Sequence, residues 1–434
     1  MTACASNWRA SYLASLKPEL RQKFLASLSR DEAAALLYDW RFWARPEQLA
    51  PAGDWRTWLV MAGRGFGKTR TCAEYIQSKA GGGACGRIAL VGRTAADVRD
   101  VMVEGESGLL AIAPPWARPR YEPSKRRLTW PNGAMATTYT SEKPDQLRGP
   151  QHDGAWADEL AAWRYPEAWD QLMFGLRLGT DPRCVVGTTP RPTRIIKELV
   201  ADSTTYVTRG STFDNRANLA PAFINQIVKR YQGTRLGRQE LYAEVLDDNP
   251  GALWRREQLE SLMVTKAPAL QRIVVAIDPA GSAQEGSDET GIVVAGRGVD
   301  GHLYVLDDLS LRGKPHAWAG QAVSAYHKYK ADRIVAEVNN GGDMVEATIR
   351  TVDSSVPYKS VNASRGKVVR AEPVASLYEQ KEAHHVGMFA ELEDQLCQWE
   401  PLPGAESPDR LDALVWAATE LMLDGQTGPA AILI

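Results

Sequence analysis

Trp58-Leu59-Val60-Met61-Ala62-Gly63-Arg64-Gly65-Phe66-Gly67-Lys68-Thr69 opens as an apolar run and closes on a glycine-rich turn with a Lys-Thr pair. Trp58 to Met61 reads as a buried parallel strand, and the residues from Thr69 to about Lys79 are compatible with a helix. Strand, glycine loop, Lys-Thr and helix in that order is a P-loop. The glycines Gly63, Gly65 and Gly67 let backbone N–H groups converge on phosphate oxygens without Cβ clashes. The helix N-terminus adds partial positive charge. Lys68 is placed for the β and γ phosphates of ATP and Thr69 for its Mg²⁺. The pattern departs from G-x-x-x-x-G-K-[ST] at position 62, where Ala62 stands for glycine, and it carries Arg64 inside the loop, where it can touch phosphate charge.

Outward from this stretch, the residues around it acquire roles. Upstream, Gln48 follows the aromatic cluster Trp40, Phe42 and Trp43 and is a candidate for hydrogen bonding to adenine. Residues 8–45 read as helical from the spacing of Leu13, Leu16, Leu20, Phe24 and Leu28. Downstream, Arg87 to Gly92 is a second strand, and residues 126–139 form a hairpin turning at Pro131-Asn132-Gly133. Gly154-Ala-Trp-Ala-Asp158-Glu159 is a short strand ending in two acids: Asp158 suits the nucleotide's Mg²⁺, and Glu159 suits a general base on the attacking water. A further strand ends in Thr188-Thr189, hydroxyls that can sense the γ-phosphate and pass its loss on. Arg148, ten residues before Asp158, is a candidate finger acting on a neighbouring subunit's ATP. Residues 218–246 give two amphipathic helices broken near Gly233, a small lid.

The 434 residues are too many for one ordinary core, and 44% hydrophobic with 24% charged residues is the balance of a folded globular chain. No apolar run nears the ~20 residues of a membrane span, and the N-terminus lacks a signal-peptide core, so no membrane association is expected. The five cysteines match no zinc spacing and no disulfide framework, which fits a reducing cytoplasm. The net charge of −2 conceals an asymmetry: residues 1–270 hold 37 Lys and Arg against 29 Asp and Glu, residues 271–434 hold 14 against 24. Nucleic-acid contact therefore requires local basic patches.

The acidic half has its own pattern. Arg272 to Asp278 is an apolar strand ending on a carboxylate, and a glycine-rich turn containing Asp288 follows. Strands at 291–295 and 302–307 and a helix at 315–329 come next, then a strand delivering Glu337. Late in the chain Asp409-Arg410-Leu411-Asp412 opens a helix. Carboxylates from two adjacent strands and one helix are the plan of an RNase H-like nuclease. Such a cluster repels itself unless divalent metal neutralises it, and two metals would clamp the attacking and leaving oxygens of a phosphodiester. Asp278, Glu337 and Asp412 are the expected ligands, with Asp409 one helical turn away as a further possibility. Arg365, Lys367 and Arg370 form a basic island that can grip a DNA backbone or counter the metal site.

Taken together, Ala62 to Thr69, Trp156 to Glu159, Gly187 to Pro190, Ile277 to Ala280, Glu337 to Gly342, Lys367 to Pro373 and Ser407 to Trp416 resemble the large terminase subunit of tailed double-stranded DNA bacteriophages, in versions found in prophages and gene transfer agents. The resemblance implies an α/β fold: a P-loop NTPase of the additional-strand type, mostly parallel, with a small helical lid, followed by an RNase H-like nuclease. Expected boundaries are 1–210 for the ATPase core, 211–247 for the lid, 248–270 for a linker, 271–425 for the nuclease and 426–434 for a tail. It further implies ATP with Mg²⁺, one or two Mg²⁺ or Mn²⁺ in the nuclease, and double-stranded DNA, a portal protein and a small terminase subunit as partners. A homo-oligomeric ring on the portal, pentameric in relatives, is implied too. The setting would be the bacterial host cytoplasm, transiently on a procapsid. A helicase or repair nuclease on cellular DNA would share both chemistries but should carry a second motor core or further helicase motifs. A DNA-binding adaptor with a dead nuclease fold would not need Asp278, Glu337 and Asp412.

Overall fold

The computed structural model describes residues 9–225, 235–245, 248–279, 289–338, 342–361, 367–402 and 408–423. The chain divides into two compact units, Met1–Leu246 and Asp247–Ile434, each built on its own sheet.

The first sheet contains β1 (Thr57–Ala62), β2 (Arg87–Gly92), β3 (Arg120–Glu122), β4 (Arg127–Thr129), β5 (Met135–Thr140), β6 (Gly154–Asp158), β7 (Arg183–Thr188) and β8 (Thr205–Gly210). Their order is β3-β4-β5-β2-β6-β7-β1-β8. From β5 to β8 every pairing is parallel, while β3-β4-β5 is antiparallel. The strand β7 lies between β1, which feeds the P-loop, and β6, which ends on Asp158; this is the additional-strand arrangement. The apolar run at the start of the P-loop is continuous because both faces of β1 are covered. Trp58, Val60 and Ala62 pack in one core layer, Leu59 and Met61 in the other. The expected hairpin is β4–β5, closed at Gly133 with φ 88°.

The N-terminal segment is helical but broken into Ala10–Ser15, Pro18–Ser27, Arg30–Leu37 and Trp40–Trp43. Pro18 sits at the first position of the second helix, and Ser29 caps the third with a capping box to Glu32. The apolar spacing there does not make a buried face: no residue of the second and third helices is buried, and Leu20, Leu25 and Leu37 are exposed. In the expected lid, a 3₁₀ helix at Thr212–Asn218 and an α-helix at Arg235–Tyr242 are seen; the break near Gly233 lies outside the described residues.

The second sheet contains β9 (Met263–Val264), β10 (Leu270–Asp278), β11 (Gly291–Gly298), β12 (Leu303–Asp308), β13 (Arg333–Glu337), β14 (Tyr358–Val361) and β15 (Ala383–Val386). Their order is β14-β13-β10-β11-β12-β15-β9, with β10-β11-β12 antiparallel and the remaining pairings parallel. One face of β10 sends Val274 and Ala276 into a core shared with the helix Asp409–Ala418; the other sends Val275 and Ile277 against the helix Pro315–Tyr329. Residues 248–270, expected as a linker, belong largely to this unit. Trp254 and Leu259 are buried in its core, Arg256 pairs with Asp394, and β9 completes the sheet. The pair His384-His385 lies on β15. His385 is buried and bonded to the Tyr378 hydroxyl and to Glu393.

Candidate active sites

In the first unit the P-loop turns through Gly65 (φ 74°) and Gly67 (φ 101°), conformations open to glycine, and delivers Lys68 as the first residue of the helix Lys68–Gly81. The Lys68 ammonium donates to the Ala62 carbonyl at 2.9 Å and to the Thr189 hydroxyl at 3.1 Å, and lies 3.6 Å from Glu159. Thr69 follows at the second helical position, half-buried. Glu159 is held in the left-handed region (φ 48°), a conformation that costs free energy for a residue with a Cβ. The turn is fixed by its N–H donating to the Gly187 carbonyl at 2.6 Å. Its carboxylate accepts from the Thr189 N–H at 3.1 Å.

The two threonines at the end of β7 divide their work. Thr189 faces the P-loop lysine and the acid. Thr188 is fully buried, and its hydroxyl accepts from the Ala161 N–H at 3.1 Å, pinning the turn that carries Glu159. Electrostatics separate the two acids. Burial first, then the charge of Glu159, pushes the Asp158 carboxyl up to about 7. Burial also pulls Glu159 upward, but Lys68, the Thr189 N–H, Arg191 and Arg64 outweigh it and hold Glu159 below the ordinary carboxylate range. Arg191 carries no signal of its own in the sequence. It is buried two residues beyond Thr189, and only the folded chain brings its charge to Glu159.

Gln48 is buried, and its amide donates to the Thr71 hydroxyl at 3.1 Å, one turn into the P-loop helix. A cavity of about 910 Å³ starts at these two residues and runs along the helix to Gly82, walled by Tyr38, Trp40 and Trp116. The Arg148 side chain is exposed, 3.9 Å from Asp145.

In the second unit Asp278 ends β10, and Ile277 pairs with Ala336, so Glu337 ends the neighbouring strand β13 at the same level. Gly291 pairs with Asp278 on the other side. A Cβ at Gly291 would lie 2.0 Å from the Asp409 carbonyl, so this glycine lets the helix Asp409–Ala418 approach the strand ends. The helix is further tied by Arg410, whose guanidinium grips Glu289 with two bonds of 2.7 and 2.8 Å and also bonds Asp308. Burial, then Asp412, Glu337 and Asp409 in that order, push the Asp278 carboxyl up to about 8, with Lys367 opposing. All four acids therefore share one electrostatic site.

Glu337 is buried and accepts from the Trp416 indole at 2.6 Å; Arg370 lies 3.4 Å from the same oxygen and over the Trp416 ring. Lys367 pairs with Asp412 at 3.0 Å. Two of the three residues expected on DNA thus face the carboxylates, the alternative role left open in the sequence; Arg365 lies outside the described residues, as does Asp288. Among the described residues no three His, Cys, Asp or Glu side chains are drawn together closely enough to hold one ion. The donor chemistry nevertheless suits a hard divalent cation: the acids offer oxygen only, are largely buried and repel one another.

The family described as "Terminase large subunit, T4likevirus-type, N-terminal" matches residues 59–261, and that described as "Terminase RNaseH-like domain" matches residues 275–421. No curated protein matches the chain. Among solved structures, the large terminase of a thermophilic bacteriophage in complex with ADP is 15% identical, with 89% of this chain and 98% of that chain covered and a TM-score of 0.42. The HK97 bacteriophage large terminase is 12% identical over 91% of this chain and 95% of that one, with a TM-score of 0.37. A mutant nuclease domain of the large terminase subunit gp2 of bacterial virus Sf6, with manganese, is 15% identical over 38% of this chain and 96% of that one, with a TM-score of 0.30. With family matches over both units, the chain belongs to the large terminase subunits, an N-terminal ATPase domain followed by an RNase H-like nuclease domain.

Proposed function

We propose that the chain is the working subunit of a phage-type DNA-packaging motor: ATP hydrolysis in the first unit drives double-stranded DNA through a portal into a procapsid, and the second unit cuts the concatemer. The observation that carries this reading is the linkage of Lys68, Thr189 and Glu159 across the end of β7. In it Lys68 neutralises the β and γ phosphates, Thr69 and Asp158 hold the Mg²⁺ that accompanies ATP, and Glu159, kept ionised, takes a proton from the attacking water. Thr189 bonds both Lys68 and Glu159, so departure of the γ-phosphate alters both ends of one hydrogen-bonded chain. Gln48, which lines the aromatic-walled cavity, selects the base. Arg64 adds charge at the phosphates in the same chain, and Arg148, whose side chain is exposed, serves a neighbouring subunit in a ring.

In the nuclease, Asp278, Glu337 and Asp412 are the residues that would hold Mg²⁺ or Mn²⁺, with Asp409 beside them. Bound there, such a metal would supply an activated water and charge stabilisation at the phosphodiester oxygens. The chain's own residues set the stage: Trp416 and Arg370 orient Glu337, and Lys367 balances Asp412. Partners in this reading are double-stranded DNA, the portal, a small terminase subunit and further copies of the chain, in the host cytoplasm. The direct test is steady-state ATPase of Glu159→Gln, which keeps the hydrogen bond from Thr189 and loses the base. A fall of about 100-fold or more in kcat with KM little changed is expected; a kcat near wild type would contradict the assignment.

A further inference from the structure

Two side chains from segments far apart in sequence hold successive carbonyls of the P-loop. Arg45 donates through Nη2 to the Phe66 carbonyl at 2.6 Å, and its guanidinium lies 4.6 Å over the centre of the Phe66 ring. Asn215 donates through Nδ2 to the Gly65 carbonyl at 2.6 Å. The two are joined: Arg45 Nη1 donates to Asn215 Oδ1 at 2.7 Å. The Phe66 ring also packs on Gly210, where a Cβ would lie 2.1 Å from it, and Leu219 packs on Gly65. Behind Arg45, its backbone N–H donates to Gln48, which in turn bonds Thr71 on the P-loop helix.

The physical consequence follows from peptide geometry. In a trans peptide the C=O and the next N–H point in opposite directions. Holding the Phe66 carbonyl toward Arg45 therefore turns the Gly67 N–H away from Arg45. Gly65 and Gly67, both at positive φ, have wide conformational freedom when unsupported, so the loop's shape must come from contacts outside it. Without them, ordering the loop would be charged against nucleotide binding.

We propose that Arg45 and Asn215 form one clamp that pre-sets the P-loop for a nucleoside triphosphate; both are positioning residues, and the inference rests on the nucleotide-binding assignment above. The clamp also places segment 211–219, the start of the expected lid, in direct bond with the P-loop.

The test uses the full chain and titrates a fluorescent ADP analogue alongside steady-state ATPase and thermal unfolding, for wild type, Arg45→Met, Arg45→Lys, Asn215→Ala and the Arg45→Met/Asn215→Ala double variant. Each loss variant should raise Kd and the KM for ATP about tenfold, the scale of one charge-assisted hydrogen bond, while kcat stays within about threefold. The double variant should be no worse than the weaker single, because both remove the same clamp. Arg45→Lys, which keeps a donor for Phe66, should recover part of the affinity. Singles that lower the unfolding temperature but bind the ADP analogue like wild type would overturn the clamp alone. So would a double variant whose losses multiply. A wild type that does not bind the analogue would overturn the nucleotide assignment, and the clamp with it.

Discussion

The Lys68 ammonium lies 3.1 Å from the Thr189 hydroxyl, which joins the P-loop to the end of the strand standing between it and Asp158. Thr189→Val removes that hydroxyl, keeps the backbone N–H that binds Glu159, and fills the same volume. The expected outcome is a kcat for ATP hydrolysis reduced roughly 10- to 100-fold, the worth of a hydrogen bond to a charged group, with the Kd for ADP moved less. Steady-state kinetics with a nucleotide titration check it; an unchanged kcat would leave Thr189 as a strand end only.

Gly291 is the point where the helix carrying Asp412 meets the strand carrying Asp278. Gly291→Ala puts a Cβ 2.0 Å from the Asp409 carbonyl, so strand and helix must separate. Overpacking of this kind costs about 1–3 kcal/mol. Denaturant unfolding should show that loss, and metal-dependent cleavage should fall with it while ATP hydrolysis is retained. Unchanged stability and cutting would refute the close approach.

The Trp416 indole donates to Glu337 while its ring supports Arg370. Trp416→Phe keeps an aromatic ring and deletes the N–H. Cleavage should slow about 5- to 50-fold, since a buried carboxylate loses one of its donors. Single-turnover cleavage measures it, and a rate equal to wild type would show that the indole N–H does not orient Glu337.

His152 is buried beside the Tyr139 ring, and its Nε2 has no hydrogen-bond partner among the described residues. Burial pushes its imidazole down to about 4 from an ordinary value near 6.5. Between those values the unfolded chain binds a proton that the folded one refuses, so stability rises with pH across that window. This contribution is complete above about 6.5 and is lost as pH falls toward 4. Urea midpoints at pH 7 and pH 5 should therefore differ less in His152→Phe than in wild type; equal differences would show that His152 does not titrate in this window.

Features confined to a local stretch are legible in the sequence. The strand, glycine turn and Lys-Thr pair sit within a dozen residues, Asp278 and Glu337 each end an apolar strand, and Asp412 lies in the first turn of an apolar helix. What the chain brings together over long separations is not. Arg191 acts on an acid 32 positions away; Arg45 meets Asn215 across 170. Gly291 looks like any strand glycine until the helix packs on it. In the stretch expected as a linker, the turn residues Asn249-Pro250-Gly251 are visible, but the burial of Trp254 and Leu259 is not, because it depends on a core that draws in residues as distant as Trp416. The N-terminal leucines mark helices, as their spacing indicates, but not which of them are buried, because helical spacing is a local property and burial is not.

The central claim is that one chain carries two separable engines, one run by Lys68 and the other by Asp278. ATPase and Mg²⁺- or Mn²⁺-dependent DNA cleavage, measured on the same preparations of wild type, Lys68→Ala and Asp278→Asn, test it most directly. The account predicts a crossed result: Lys68→Ala loses ATP hydrolysis and still cuts, and Asp278→Asn hydrolyses ATP near the wild-type rate and does not cut. ATP hydrolysis surviving in Lys68→Ala, or cleavage surviving in Asp278→Asn, would contradict it.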